Sequence, residues 1–168
     1  APGMIRYPKS ACPETDGLLD APIEAGRGVM VKQSGASALL ISVGGLFQEA
    51  YEAVRMSAEN GIDVDYYNLR FIRPLDEEFL VDLVSRYSKV YMVEDGAVIG
   101  GIGEYIAGLL MRNGVRVQFN WSGVPDAFLA QASRSELIET CKLDRHSIAD
   151  ALQHLSSGAF SIVKPAVS

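Results

Sequence analysis

A three-layer α/β/α sandwich around a mainly parallel, mixed sheet of about five strands is the fold this 168-residue sequence predicts. Three observations predict it. Strand-like and helix-like periods alternate regularly after residue 36. The run ALLISV (38–43) is apolar at every position but one, as a strand covered by helices on both faces must be. And the stretch VYMVEDGAVIGGIGEYI (90–106) passes from strand through a glycine turn into helix, the transition expected at the carboxyl edge of a parallel sheet.

Taken in order, residues 8–28 are rich in Pro, Gly and acids and read as a surface loop. A short strand, 28–32, turns through Gln33-Ser34-Gly35 toward the strand 38–43, as a hairpin partner would. Phe47, Ala50, Tyr51, Val54 and Ala58 then follow helical spacing until Asn60-Gly61 stops the helix. Residues 63–68 read as the next strand. Asp76, followed by Glu77 and Glu78, caps a helix with Leu80, Leu83, Val84 and Tyr87 on its inner side. A strand at 89–93 leads through the glycines to a helix at 102–113, closed by Asn113-Gly114. Residues 116–120 alternate as a strand, Ser133 and Glu136 form a capping box, and Asp144 opens a last helix bearing Ile148, Ala151, Leu152 and Leu155. The domain is expected to span 1–155, with an entry loop and short hairpin strand at 1–35, the α/β core at 36–155, and a tail at 156–168 without a structural signal.

Composition narrows the partners. A formal charge of −6 argues against nucleic acid and anionic membranes, which call for clustered Lys and Arg. Two cysteines, Cys12 and Cys141, form no metal or redox motif and suit a reduced, cytoplasmic setting. No apolar run is long enough for a membrane span. The chain opens without an initiator Met, in what reads as mid-strand, and is expected to be a fragment of a longer protein.

No complete catalytic or metal-binding set emerges. The glycine turn fails as a dinucleotide fingerprint, because after Gly101 and Gly103 the third glycine position, 106, holds Ile. Glu94 and Asp95 are adjacent on a strand and point to opposite faces, so they cannot flank one bond; one of them is expected to cap the following helix or to contact a neighbouring domain. Gly44-Gly45 lacks the Lys-Ser/Thr of a phosphate loop, and Ser42 lacks a nucleophile elbow. His146 and His154 have no ligand partners at metal spacing. In NLRFIRPLD (68–76), Arg70 and Arg73 follow a strand directly, at the edge where ligands bind. A guanidinium fork suits phosphate, although a pair with Asp76 or a plain surface charge is the commoner use of such residues. Arg6, in IRYPK, precedes Tyr7-Pro8, which holds that segment extended.

In this order and near this spacing, IRYPK, GRGVMVKQSG, ALLISVGG, NLRFIRPLD, VEDGAVIGGIG, GVPDAFLAQAS and LDRHSIADAL resemble the carboxyl-terminal domain of the 1-deoxy-D-xylulose-5-phosphate synthase family, from about residue 4 to about 155. This family is part of the transketolase-like, thiamine-diphosphate-dependent group. The glycine stretch and the R-F-x-x-P-L-D stretch are shared with transketolases and 2-oxoacid dehydrogenase β subunits, whose equivalent domain is the alternative reading, alongside a stand-alone docking module. The RYP start and the PD-x-F block tilt toward the synthase.

The resemblance implies a transferase that joins pyruvate to glyceraldehyde 3-phosphate, an isoprenoid-precursor step, in a homodimer. Arg6 and Arg70 fall on the family's two motif arginines and are the residues implied to bind the acceptor's phosphate. Thiamine diphosphate and Mg²⁺ belong to family domains absent from this sequence, so no cofactor and no turnover are expected of this chain alone. Ala127 and Ala130-Gln131-Ala132 stand where the family often carries an arginine and a His-Gly pair. Asp95 and Val98 replace the commoner Glu and Met.

Overall fold

The computed structural model describes residues 3, 4, 15 and 17–158. Five strands and five helices follow one another as β1 (Val29–Lys32), β2 (Ala38–Val43), α1 (Phe47–Glu59), β3 (Asp65–Leu69), α2 (Glu77–Val84), β4 (Lys89–Ala97), α3 (Ile102–Arg112), β5 (Gln118–Val124), α4 (Arg134–Thr140) and α5 (Arg145–Ser157). The sheet order is β1-β3-β2-β4-β5. Strands β2 to β5 run parallel and β1 alone is antiparallel. This is the mixed, three-layer α/β arrangement that the periodicities predict.

Strand β2 is the centre of the sheet and is buried along its whole length. Its alternate side chains feed two cores. Ala38 and Leu40 meet α1 and α5 on one face, with Phe47, Ala50, Val54, Ile148, Leu152 and Leu155. Leu39, Ile41 and Val43 meet α2 and α3 on the other, with Leu80, Leu83, Ile106 and Leu109. An apolar run without polar alternation is what two covered faces require.

The expected hairpin between the first two strands does not form. β1 pairs with β3, Val29 opposite Asn68 and Met30 opposite Tyr67, because both edges of β2 are already taken by parallel neighbours. The 33–37 turn is tied instead to the start of β3. The Asp65 carboxylate, buried at 1% exposure, accepts from Ser34 N (2.7 Å), Ser34 Oγ (2.8 Å) and Ala36 N (3.4 Å) on one oxygen, and from the Tyr87 hydroxyl (2.9 Å) on the other. Four donors on one buried carboxylate satisfy it fully.

Boundaries also move. β3 starts at Asp65 rather than 63, since the Asp63 carboxylate turns outward to the Lys32 ammonium at 2.6 Å. β5 occupies 118–124 rather than 116–120, its register being set by the pairing of Gln118 with Lys89, the first residue of β4. The helix caps fall where the sequence places them. Asp76 accepts from Phe79 N, Ser133 and Glu136 close a capping box, and Asp144 accepts from His146 N and Ser147 N. Each satisfies amides that a helix start leaves orphaned.

Candidate functional site

The chain leaves β2 for α1 on one face and leaves β4 for α3 on the other, so a crevice is expected between the carboxyl ends of these neighbouring strands. Here the protein closes that crevice with its own groups. The Asp95 carboxylate accepts from Gly45 N (3.2 Å) and from Arg134 Nη2 (3.0 Å), and the same guanidinium nitrogen donates to the Gly45 carbonyl (3.2 Å). A Cβ on Gly44 would stand 2.9 Å from Asp95 Cβ. Gly44 and Gly45 thus serve a close approach and an ion pair.

Glu94, one residue earlier, points to the opposite face and is 2% exposed. Its two oxygens accept from Ile102 N (2.9 Å) and Gly103 N (3.2 Å), the first amides of α3. Helix α3 is therefore capped by a carboxylate from the strand before it, not by a residue at its own N-cap, where Gly101 supplies no side chain. Burial pushes the Glu94 carboxyl above the usual range, with the two amides pulling the other way.

The glycines make this possible. A Cβ on Gly101 would lie 2.3 Å from the Ala97 carbonyl oxygen and from Glu94 Oε2, and one on Gly103 2.5 Å from Trp121 Cδ1. The turn brings helix, strand and indole together and leaves no cradle for a pyrophosphate. Of the adjacent acids, Glu94 is the helix cap that the sequence leads one to expect; the pairing of Asp95 with Arg134, 39 positions away, has no local signal.

The arginine loop sits at the carboxyl end of β3. Arg70 is partly buried and donates to the backbone carbonyls of Leu19, Ala21 (2.9 Å) and Pro22 (3.4 Å), fastening the entry loop to the sheet. No carboxylate pairs with it among the described residues. Asp76 does not pair with Arg70 or Arg73. It is taken by Arg27 Nε at 2.8 Å. Arg73 instead lies over the Tyr105 ring, 5.3 Å from its centroid. Arg6 lies outside the described residues.

Elsewhere the chemistry is sparse. Among the described residues no group of three His, Cys, Asp or Glu is arranged for a metal, and no helix is long and apolar enough to cross a membrane. His146 and His154 lie on α5, and Cys141 is buried, its thiol pushed up by burial. Nothing among the described residues offers an acid–base pair or nucleophile poised against an open cleft. What the edge offers is charge and shape: an arginine loop, a rigid glycine turn, and exposed Ile72, Ile99 and Phe128 on loops leaving three strands.

This combination defines an α/β domain whose strand ends carry charged and apolar loops along one edge of the sheet. Residues 26–148 match the model of the transketolase C-terminal domain, and the chain belongs to that family. Curated relatives include 1-deoxy-D-xylulose-5-phosphate synthases. That of Treponema pallidum is 37% identical over 149 residues, covering 88% of this chain and 24% of the relative. Those of Parabacteroides distasonis and Pseudomonas paraeruginosa are 30% and 32% identical over 90% of the chain, covering 24% and 23% of the relatives. The chain thus spans about a quarter of the length of these relatives. Among solved structures, a protein described as "Split gene transketolase, inactive beta4 tetramer" aligns with TM-score 0.73 and 25% identity over 90% of this chain and 47% of that one.

Proposed function

We propose that this chain is the carboxyl-terminal part of a 1-deoxy-D-xylulose-5-phosphate synthase, and that it helps to select a phosphorylated aldehyde, glyceraldehyde 3-phosphate, as acceptor. The observation that carries this reading is the run of synthase relatives at 30–37% identity across about nine-tenths of the chain. The Arg70 guanidinium supports it, standing at a strand's carboxyl edge with no carboxylate partner among the described residues. Arg6 is its proposed companion on the phosphate.

Thiamine diphosphate, which would supply the carbanion chemistry on pyruvate, and Mg²⁺ would be held by the three-quarters of the relatives' length that this chain does not span. The described residues have no cluster of His, Cys, Asp or Glu for the metal, and no catalytic step is assigned to them. On this reading the chain alone neither binds cofactor nor turns over. Its edge loops also make contacts with neighbouring domains and with a second subunit.

The test uses the gene product that carries this sequence, supplied with thiamine diphosphate and Mg²⁺, and follows CO₂ release from pyruvate. Acceptor-dependent release is expected. Arg70→Lys keeps the charge but loses the fork. It is expected to raise KM for glyceraldehyde 3-phosphate about tenfold, roughly the 1.4 kcal/mol of one charge-assisted hydrogen bond, while leaving unphosphorylated glyceraldehyde unaffected. Equal loss on both acceptors would make Arg70 purely a fastener of the entry loop. The split-gene transketolase neighbour favours one alternative, a transketolase using xylulose 5-phosphate as donor; release of CO₂ from pyruvate excludes it.

A further inference from the structure

On α3, Arg112 lies four residues beyond Gly108 and seven beyond Tyr105, so its side chain can fold back along one face of the helix. It does so. Its guanidinium carbon sits 5.9 Å from the Tyr105 ring centroid, and a Cβ on Gly108 would be 3.2 Å from its Nη1. A glycine inside a helix is costly, and here the vacant side-chain position is where the guanidinium lies. Arg73, from the β3 loop, reaches the same ring at 5.3 Å. The Tyr105 hydroxyl donates to Glu77 on α2, which fixes the ring.

Two guanidiniums therefore share one anchored aromatic. Neither makes an ion pair among the described residues, and both are exposed. The nearby Glu77 carboxylate keeps its charge but accepts from the tyrosine hydroxyl and forms no ion pair with either arginine. On a chain of net charge −6, these are two exposed guanidiniums without an ion-pair partner among the described residues. The residue before each arginine is apolar and open to solvent, Ile72 at 55% and Met111 at 78% exposure. Arginine, tyrosine and methionine beside exposed aliphatic surface is the composition of a protein–protein interface core. Because the Tyr105 ring holds both arginines, and Gly108 leaves room for Arg112, less side-chain entropy remains to be lost on binding.

We propose that Arg73, Tyr105 and Arg112 form a docking surface for an acidic segment of a protein partner. The segment carries at least two carboxylates, one for each guanidinium, with an apolar side chain to cover Ile72 and Met111. The fork geometry of arginine matches carboxylates two donors at a time. Apolar flanks favour a peptide over a bare phosphate, which would leave them wet.

The probe is the acetylated, amidated peptide Leu-Asp-Glu-Leu-Glu, titrated into the isotope-labelled 168-residue chain while arginine Nε and tyrosine ring signals are followed by NMR. Saturable shifts at Arg73, Tyr105 and Arg112 with Kd of about 1 mM or tighter are expected. The same peptide with Asn and Gln in place of the acids should not bind. R73S/R112S, both exposed positions, should weaken binding at least about tenfold with the remaining amide spectrum unchanged. Gly108→Ala, which presses on Arg112, should weaken it while keeping the fold. Kd above about 10 mM, shifts centred elsewhere, or R73S/R112S binding as well as wild type would overturn the proposal. So would inorganic phosphate shifting the same signals as strongly as the peptide, which would make this a simple anion site.

Discussion

Glu94 shows how much one side chain can decide. It lies in a strand, is buried, and satisfies the first two amides of a helix eight and nine residues later. Glu94→Ala orphans both amides and is expected to cost about 2–3 kcal/mol in urea unfolding. Glu94→Gln keeps one acceptor and should cost about 1 kcal/mol. It should also remove a pH dependence. The folded Glu94 carboxyl titrates above its ordinary 4.5, so the native state holds a proton the unfolded state has lost, and this residue's contribution falls as pH rises from 4.5 through its folded value. In the Gln variant the native–unfolded difference from this position is flat across that window.

The glycines around α3 separate two uses of the same residue at the scale of the element. Gly103 is pressed against the Trp121 indole, so Gly103→Ala should destabilise by about 1–3 kcal/mol through overpacking. At Gly108 the added methyl meets the movable end of Arg112 and nothing rigid, and Gly108→Ala should stabilise by about 0.5–1 kcal/mol from helix propensity. Thermal unfolding of the pair reads both signs. Helices and their caps were legible because they are local: Asp76, Ser133 and Asp144 each act within three residues of themselves. The glycine spacing was equally legible in excluding a dinucleotide loop. The placement of β1 was not, since it depends on which strand edges remain free once the parallel ladder is built. Nor was the Asp95–Arg134 contact, which bridges β4 and α4 across 39 residues and leaves no periodic trace. For Arg70 the sequence indicates the sheet edge correctly but not the carbonyls of Leu19, Ala21 and Pro22, whose loop has no pattern to read.

Across the whole molecule, α5 and α1 are clamped by charge as well as by packing. Arg145 donates to Glu49 through its backbone N (2.9 Å), Nε (3.0 Å) and Nη2 (2.9 Å). Burial alone would raise the Glu49 carboxyl, but the bonds and charge of Arg145 outweigh it and hold the group below its ordinary 4.5. Asp65 and Asp144 are likewise held below 3.8, hydrogen bonds outweighing burial. A depressed carboxylate stabilises above its unfolded value and loses that contribution as pH falls. Urea midpoints should therefore drop as pH falls below about 4.5, and Arg145→Ala should flatten part of that drop while costing about 1 kcal/mol at neutral pH. The family match ends at residue 148, in the first turn of α5. Cutting the chain there removes Ala151, Leu152 and Leu155, all buried. At about 2–5 kcal/mol for each large core side chain, against a total of about 5–15, the truncated chain should not fold, which circular dichroism would show directly.

The packing of α5 over α1 also bears on how the domain is made. Leu143, Ile148, Leu152 and Leu155 close a face whose other half, Phe47, Ala50 and Val54, is translated about a hundred residues earlier. Until α5 clears the ribosome, a nascent chain with its sheet already assembled carries a greasy flank with no cover of its own. That interval is when it is most exposed to chaperones and to aggregation.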